Sequence, residues 1–349
     1  MTLSPKILLI ITACIAALLV VIIAYIGYKR FKQQRVFAAR DAYIKRYETT
    51  WYRYLVLHEP FDDAAIPKTK GAFLAVEQLL LSYVDNVSDA RIEAKISDFA
   101  KRYLYNYYRH MLAQHKWSRR MNALYRIDDF QMDTLLAPCI ALYDKKSTTR
   151  EERYTLMAIF ANYAPQTFAH YLYTKRSDFS EFEYRRIYVT LSKAQLLDLV
   201  QNIERLPTAS AQYALIDTLG AMKDLQYVEQ LTLLLQEDDA ELRIRVLKSL
   251  YELSWIEDVS LYEPFVQSAI WEERLMVAKI LKYVPLLYSE NMLLTLLEDA
   301  NWWVRQQAAE TMMRYEEGAD VLKCNMVTTT DRFAKDMAQQ VLTKAGVPT

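Results

Sequence analysis

At 349 residues the chain is long enough for two or three ordinary domains, yet five glycines are too few for a turn-rich β protein. Its 43 basic and 43 acidic residues cancel, so no global field draws it onto nucleic acid. Cys14, Cys139 and Cys324 stand singly, with no CxxC, which argues against a disulfide framework or a cysteine metal site and suits a reducing compartment.

The run Ile7 to Ile26 carries no charge, and its apolar character extends to Tyr28. At 1.5 Å per residue, twenty residues span about 30 Å, the thickness of a bilayer's hydrocarbon core. A cleaved signal peptide is the alternative, but the run is long for one and no small-x-small site ends it. Ile11-Thr12-Ala13-Cys14 also looks like a lipoprotein box; mature lipoproteins normally continue with a polar tether, whereas mostly apolar residues follow here. Residues 1–28 are therefore expected to form a transmembrane anchor. Only Lys6 precedes the span, and Lys29, Arg30, Lys32, Arg35 and Arg40 follow it, so the positive-inside rule expects a single-pass protein with its C-terminal body in the cytoplasm.

Residues 29–115 are expected to form a juxtamembrane helix reaching about Leu57, a loop around Pro60 and Pro67, and two helices, the second capped by Ser88 or Asp89. The second carries Tyr103, Tyr105, Tyr107 and Tyr108. Rings at i and i+2 point apart on a helix, so some of them are expected at a surface.

From residue 116 to 349 a repeat governs the chain. Arg243, Arg274 and Arg305 stand 31 residues apart. At the same shift the following helix repeats its apolar positions as Leu215/Ile216/Leu219, Val246/Leu247/Leu250, Val277/Ala278/Leu281 and Ala308/Ala309/Met312. The preceding helix repeats Leu231/Leu234/Leu235, Tyr262/Phe265/Val266 and Leu293/Leu296/Leu297. Two helical stripes per period of about 30 mark an α-solenoid, in which no unit buries its face alone and stacking supplies the core. Weaker copies surround Arg120, Arg153 and Arg185, and Phe333 with Met337/Ala338/Val341 forms a degenerate C-terminal cap.

Asp299, Val304, Arg305, Ala308, Ala309 and Met312 carry a resemblance to the HEAT repeats, which is specific over residues 208–316. The resemblance implies an all-α, right-handed α-solenoid of about seven HEAT-like helix pairs, preceded by the transmembrane helix and an irregular helical region. It also implies repeat-structural roles for Arg243, Arg274, Asp299 and Arg305. Glu237 and Ser268 stand where Asp299 stands, and Gln212 replaces the arginine, so the inter-repeat ladder of Asp and Arg is expected to be incomplete.

No catalytic constellation rises above chance. His58, His110, His115 and His170 are scattered, without HExxH, a phosphate loop or GxSxG. Iron-binding HEAT-like enzymes use repeated His-Glu pairs, and His58-Glu59 is the single pair here. No cofactor, metal, nucleic acid or small-molecule substrate is expected. Trp271 and Trp302 share one repeat position, with Trp303 adjacent; they either fill gaps between repeats or form an aromatic anchor for a partner. The expectation is a non-enzymatic membrane scaffold that binds a protein partner, weighed against two alternatives: a HEAT-like enzyme with an unrecognised site, or an outward-facing envelope protein.

Overall fold

The computed structural model describes residues 5–175 and 179–347, and within residues 5–13 only the side chains of Leu9 and Ile11. The first four residues of the expected anchor, the Lys6 side chain, and residues 176–178 and 348–349 of the repeat region lie outside the described residues. All described elements are helices or turns, with no strand among them. Two compact units divide between Ile159 and Phe160.

The first unit opens on α1 (Pro5–Leu55), one unbroken helix of 51 residues. From Cys14 to Arg35 it is exposed all round. Burial begins at Val36 and continues through Arg40, Tyr43, Ile44, Tyr47 and Thr50 to the fully buried Trp51 and Leu55. Those spacings of three and four define one helical face, so the helix changes at Val36 from apolar on all sides to amphipathic. That face packs on α2 (Lys70–Asn86), whose first turn is capped by Thr69, its hydroxyl accepting the Ala72 N–H at 3.2 Å. Gly71 makes the contact: a Cβ there would lie 2.8 Å from Ala39 Cβ and 3.0 Å from the Val36 carbonyl.

Asp89 caps α3 (Ala90–Phe99), which passes through a π turn (Ala100–Leu104) into α4 (Tyr105–Leu112). Of the four tyrosines only Tyr108 is buried; Tyr103, Tyr105 and Tyr107 are half-buried, partly at a surface as expected. A π turn adds a residue to one helical turn and rotates the helix beyond it. Tyr103 therefore meets Phe61 and Phe99, Tyr107 stacks on Phe73 with centroids 4.4 Å apart, and Tyr108, 1% exposed, donates to Glu77 at 3.3 Å. Next come α5 (Trp117–Asp129), α6 (Leu136–Tyr143) and α7 (Arg150–Tyr163), the last holding the division between the units.

The second unit comprises α8 (Pro165–Thr174), α9 (Glu181–Tyr188), α10 (Lys193–Gln201), α11 (Ala209–Met222), α12 (Val228–Leu233), α13 (Ala240–Leu253), α14 (Glu263–Val266), α15 (Trp271–Ile280), α16 (Leu286–Leu297), α17 (Trp302–Met312), α18 (Gly318–Thr328) and α19 (Arg332–Lys344). Helices α9, α11, α13, α15, α17 and α19 pack each on the next, and α10 on α12 and α14 on α16 form a second layer. This is a stacked helical repeat. All twelve positions of the first apolar stripe, from Leu215 to Met312, are 0% exposed, and the nine of the second are at most 7% exposed. Helices of 10 to 14 residues do not hold alone in water, and burying each such side chain contributes about 1.5–3 kcal/mol. The stack is thus what keeps its members helical.

Two small residues set the spacing of that stack. Ser249 Oγ donates to the Ile216 carbonyl at 2.9 Å, and Thr311, two repeats on, donates to the Ala278 carbonyl at 2.8 Å. Opposite Ser249 lies Gly220, where a Cβ would meet Ser249 Cα at 2.8 Å. The turns also keep register: Lys223 and Ser254, 31 apart, both take left-handed φ, 54° and 56°, as helix C-caps. Proline cannot adopt that φ, and at the third equivalent position, Pro285, a 3-10 turn (Leu281–Tyr283) replaces the cap. In the last copy Met337, Ala338 and Val341 are buried, whereas Phe333 is 62% exposed and lies beneath the Arg305 guanidinium, 5.2 Å from Cζ to ring centroid.

Candidate functional site

The repeat arginines hold the turns between helix pairs. Arg243 Nη1 donates to the carbonyls of Glu237 and Asp238 at 2.8 and 2.9 Å, Arg274 Nη1 to that of Ser268 at 2.6 Å, and Arg305 Nη1 to those of Asp299 and Ala300 at 2.7 and 3.0 Å. Arg120 in the first unit does the same with Gln114 and His115 at 3.0 and 2.8 Å. Each arginine thus reaches five or six residues back and satisfies carbonyls that a helix end leaves open.

In Arg120, Arg243 and Arg274 the other edge of the guanidinium reaches forward to a carboxylate. Arg274 grips Asp299 with two nitrogens, Nη2 at 2.9 Å and Nε closer still, and this bond pushes the Arg274 pKa up. Where Ser268 interrupts the expected ladder, Glu273 supplies the acid: its Oε1 accepts Arg243 Nε at 2.8 Å, and its Oε2 accepts the Ser268 hydroxyl. Glu152 does so for Arg120 at 2.6 Å. Glu152 and Glu273 are 0% and 1% exposed. Both were missed from sequence, although a signal existed, since each immediately precedes the next repeat's arginine, Arg153 and Arg274. Gln212, in the arginine's place, donates to the Ile203 carbonyl at 3.1 Å. Arg305 ends the series. It is 8% exposed, its Nε has no hydrogen-bond partner among the described residues, and the Phe333 ring takes the place of an acid.

Asp299 gathers this network beneath the tryptophans. Besides Arg274, its Oδ1 accepts the Asn301 N–H at 2.7 Å, and Asn301 in turn caps α17 by accepting the Trp303 N–H at 2.9 Å. Trp302 and Trp303 project from this fixed turn, 41% and 59% exposed, with rings edge to face at 4.7 Å. Trp271 is half-buried, and no ring contact joins it to Trp302 among the described residues. Trp117, which opens the first repeat-like helix beside Lys116, Arg119 and Arg120, stands three before Arg120, as Trp271 and Trp302 stand three before their arginines, and its Nε1 donates to Thr149 at 3.1 Å.

A second polar node faces another side of the stack. Arg245 bonds Glu181, Asp217 and Glu241 at 2.9, 2.8 and 2.7 Å and covers the Tyr213 ring at 4.7 Å, tying α9, α11 and α13 together. No group of three or more His, Cys, Asp or Glu side chains with metal-binding geometry occurs among the described residues. Burial pushes the Cys139 thiol up to about 12, so that cysteine is chemically quiet, whereas Cys324 is exposed.

No family model matches the chain, and no curated protein matches it. Among solved structures, an engineered protein is 15% identical with a TM-score of 0.39, covering 82% of this chain and 93% of its own. The YibA protein of E. coli is 13% identical with a TM-score of 0.32, covering 74% and 98%. A computationally designed armadillo repeat protein for modular peptide recognition is 11% identical with a TM-score of 0.22, covering 77% and 98%. Superpositions this loose fix nothing by themselves, and the helical repeat stands on the register of the chain's own helices and bonds.

Proposed function

We propose that the protein is a membrane-anchored, non-enzymatic helical-repeat scaffold, whose body lies in the cytoplasm and holds a protein partner through the Trp302/Trp303 edge. The observation that carries this reading is the exposure of two adjacent indoles on a turn locked by Arg274, Asp299, Asn301 and Arg305. Large rings held rigid lose little entropy on contact, and tryptophan leads the residues that dominate interface energetics. The anchor half rests on α1, the one helix among the described residues long and apolar enough to cross a bilayer; none of its apolar window is buried. The basic residues from Lys29 to Arg40 favour the cytoplasmic side for the body.

A photocrosslinking residue at position 303 in the full-length membrane protein tests the edge. Discrete protein adducts that vanish when Trp302→Ala is added support the reading. Adducts that are absent, or indifferent to Trp302→Ala, remove it.

A further inference from the structure

We infer that a cationic cavity in the first unit, between the first turn of α2 and the last turn of α4, binds the phosphate headgroup of an anionic lipid. The cavity measures about 390 Å³, within the usual range for ligand pockets. Lys70 and Arg119 line it with His110 and Gln114, over an apolar floor of Leu74, Tyr107 and Met111, and no carboxylate is part of its wall. Neither Lys70 nor Arg119 has an acidic partner among the described residues; the nearest acid along α2, Glu77, is taken by Arg126 at 2.7 Å and by Tyr108. Two permanent cations therefore face a concave surface without compensation.

The polar wall is pre-ordered. Arg119 Nη1 donates to Gln114 Oε1 at 3.0 Å, which fixes the amide so that its Nε2 donates to His110 Nε2 at 2.8 Å. That assignment leaves the His110 ring proton on Nδ1 as a further donor. Below it, Tyr107 lies flat on Phe73 with an interplanar angle of 4°.

Placement selects the source of the anion. Gly71 touches Val36, Ala39 and Arg40 of α1, whereas Tyr83 at the other end of α2 lies near Glu48 and Tyr52, so α2 runs parallel to α1. The path from α3 to α4 runs back: Phe99 packs on Trp51, far along α1, and Tyr107 on Phe73, at the start of α2. The first turn of α2 and the last turn of α4 therefore sit together at the end of the unit from which α1 projects. Tyr28, where the apolar run stops, is eight residues before Val36, a rise of about 12 Å. Headgroups occupy roughly the first 6 Å beyond the hydrocarbon, and a lysine or arginine side chain bridges the remainder. Lys29, Arg30, Lys32 and Arg35 line the intervening stretch of helix and enrich acidic lipid beside it.

This inference rests on the reading of α1 as a membrane span, and the test separates the two. Full-length protein is placed in nanodiscs of phosphatidylcholine alone or doped with phosphatidylglycerol, and backbone amide exchange is followed at residues 70–74 and 107–114. Failure to enter neutral discs removes the anchor and this site together. Entry followed by slowed exchange only with phosphatidylglycerol, lost in Lys70→Gln/Arg119→Gln and kept when Lys29, Arg30, Lys32 and Arg35 are changed to Gln, supports the site. Entry with no such slowing overturns the site alone, as does slowing that survives Lys70→Gln/Arg119→Gln. Equal protection in neutral discs by added glycerol 3-phosphate assigns the anion to solution and overturns the lipid as its source.

Discussion

The stacked repeats and the first half of α1 draw on similar apolar residues and meet opposite fates. In α11, α13, α15 and α17 those residues form a stripe, and every member from Leu215 to Met312 disappears into the neighbouring helix. Along α1 from Cys14 to Tyr28 they surround the helix, and none of the described residues covers them. A one-sided stripe finds its partner within the chain; an all-round apolar surface is left for something outside it to cover. Val36, where α1 turns amphipathic and first meets Gly71, marks the change from one regime to the other. The helix runs through that point without a break.

The sharpest break of the repeat side is Asp299→Ala. It strips Arg274 of its carboxylate and Asn301 of its acceptor at a half-buried turn, and losing hydrogen bonds to a charged group costs about 1.5–3 kcal/mol. Thermal unfolding of the full chain in detergent should show that loss. Arg305→Ala should cost less than Arg274→Ala in the same assay, because Arg305 has no acidic partner among the described residues to strand. Gly220→Ala comes next: its new methyl meets the Ser249 backbone, so helices α11 and α13 must separate, at about 1–3 kcal/mol. At the small end, Trp303→Ala removes an exposed ring and should shift stability by no more than about 0.5 kcal/mol. A loss of about 3 kcal/mol or more would instead mark Trp303 as core and end its part as an anchor.

The repeat was legible because stacking imposes one register, and apolar positions recur with it from Leu215 to Met312. The features that escaped had no such periodic mark. A glutamate in the first turn of a helix, such as Glu273, reads as solvated until the neighbouring repeat closes over it. Arg245 finds Glu181 across 64 positions, an offset that belongs to no repeat. The cavity joins Lys70 of α2 to His110 of α4 and Arg119 of α5, helices whose packing no repeat register marks. Phe333 stands with the apolar residues of the last copy, yet its exposed ring meets the Arg305 guanidinium, a contact that no apolar periodicity marks.

The exposed thiol of Cys324 offers the most direct test of a cytoplasmic body on a membrane stem. In a Cys14→Ser background, a membrane-impermeant maleimide should leave intact cells' protein unlabelled and label Cys324 once the membrane is opened. Cys139, buried with its thiol held near 12, should stay unreacted in the folded protein in both cases. The protein should remain in the membrane fraction throughout. Labelling of Cys324 in unopened cells, or recovery of the chain in the soluble fraction, would contradict the account.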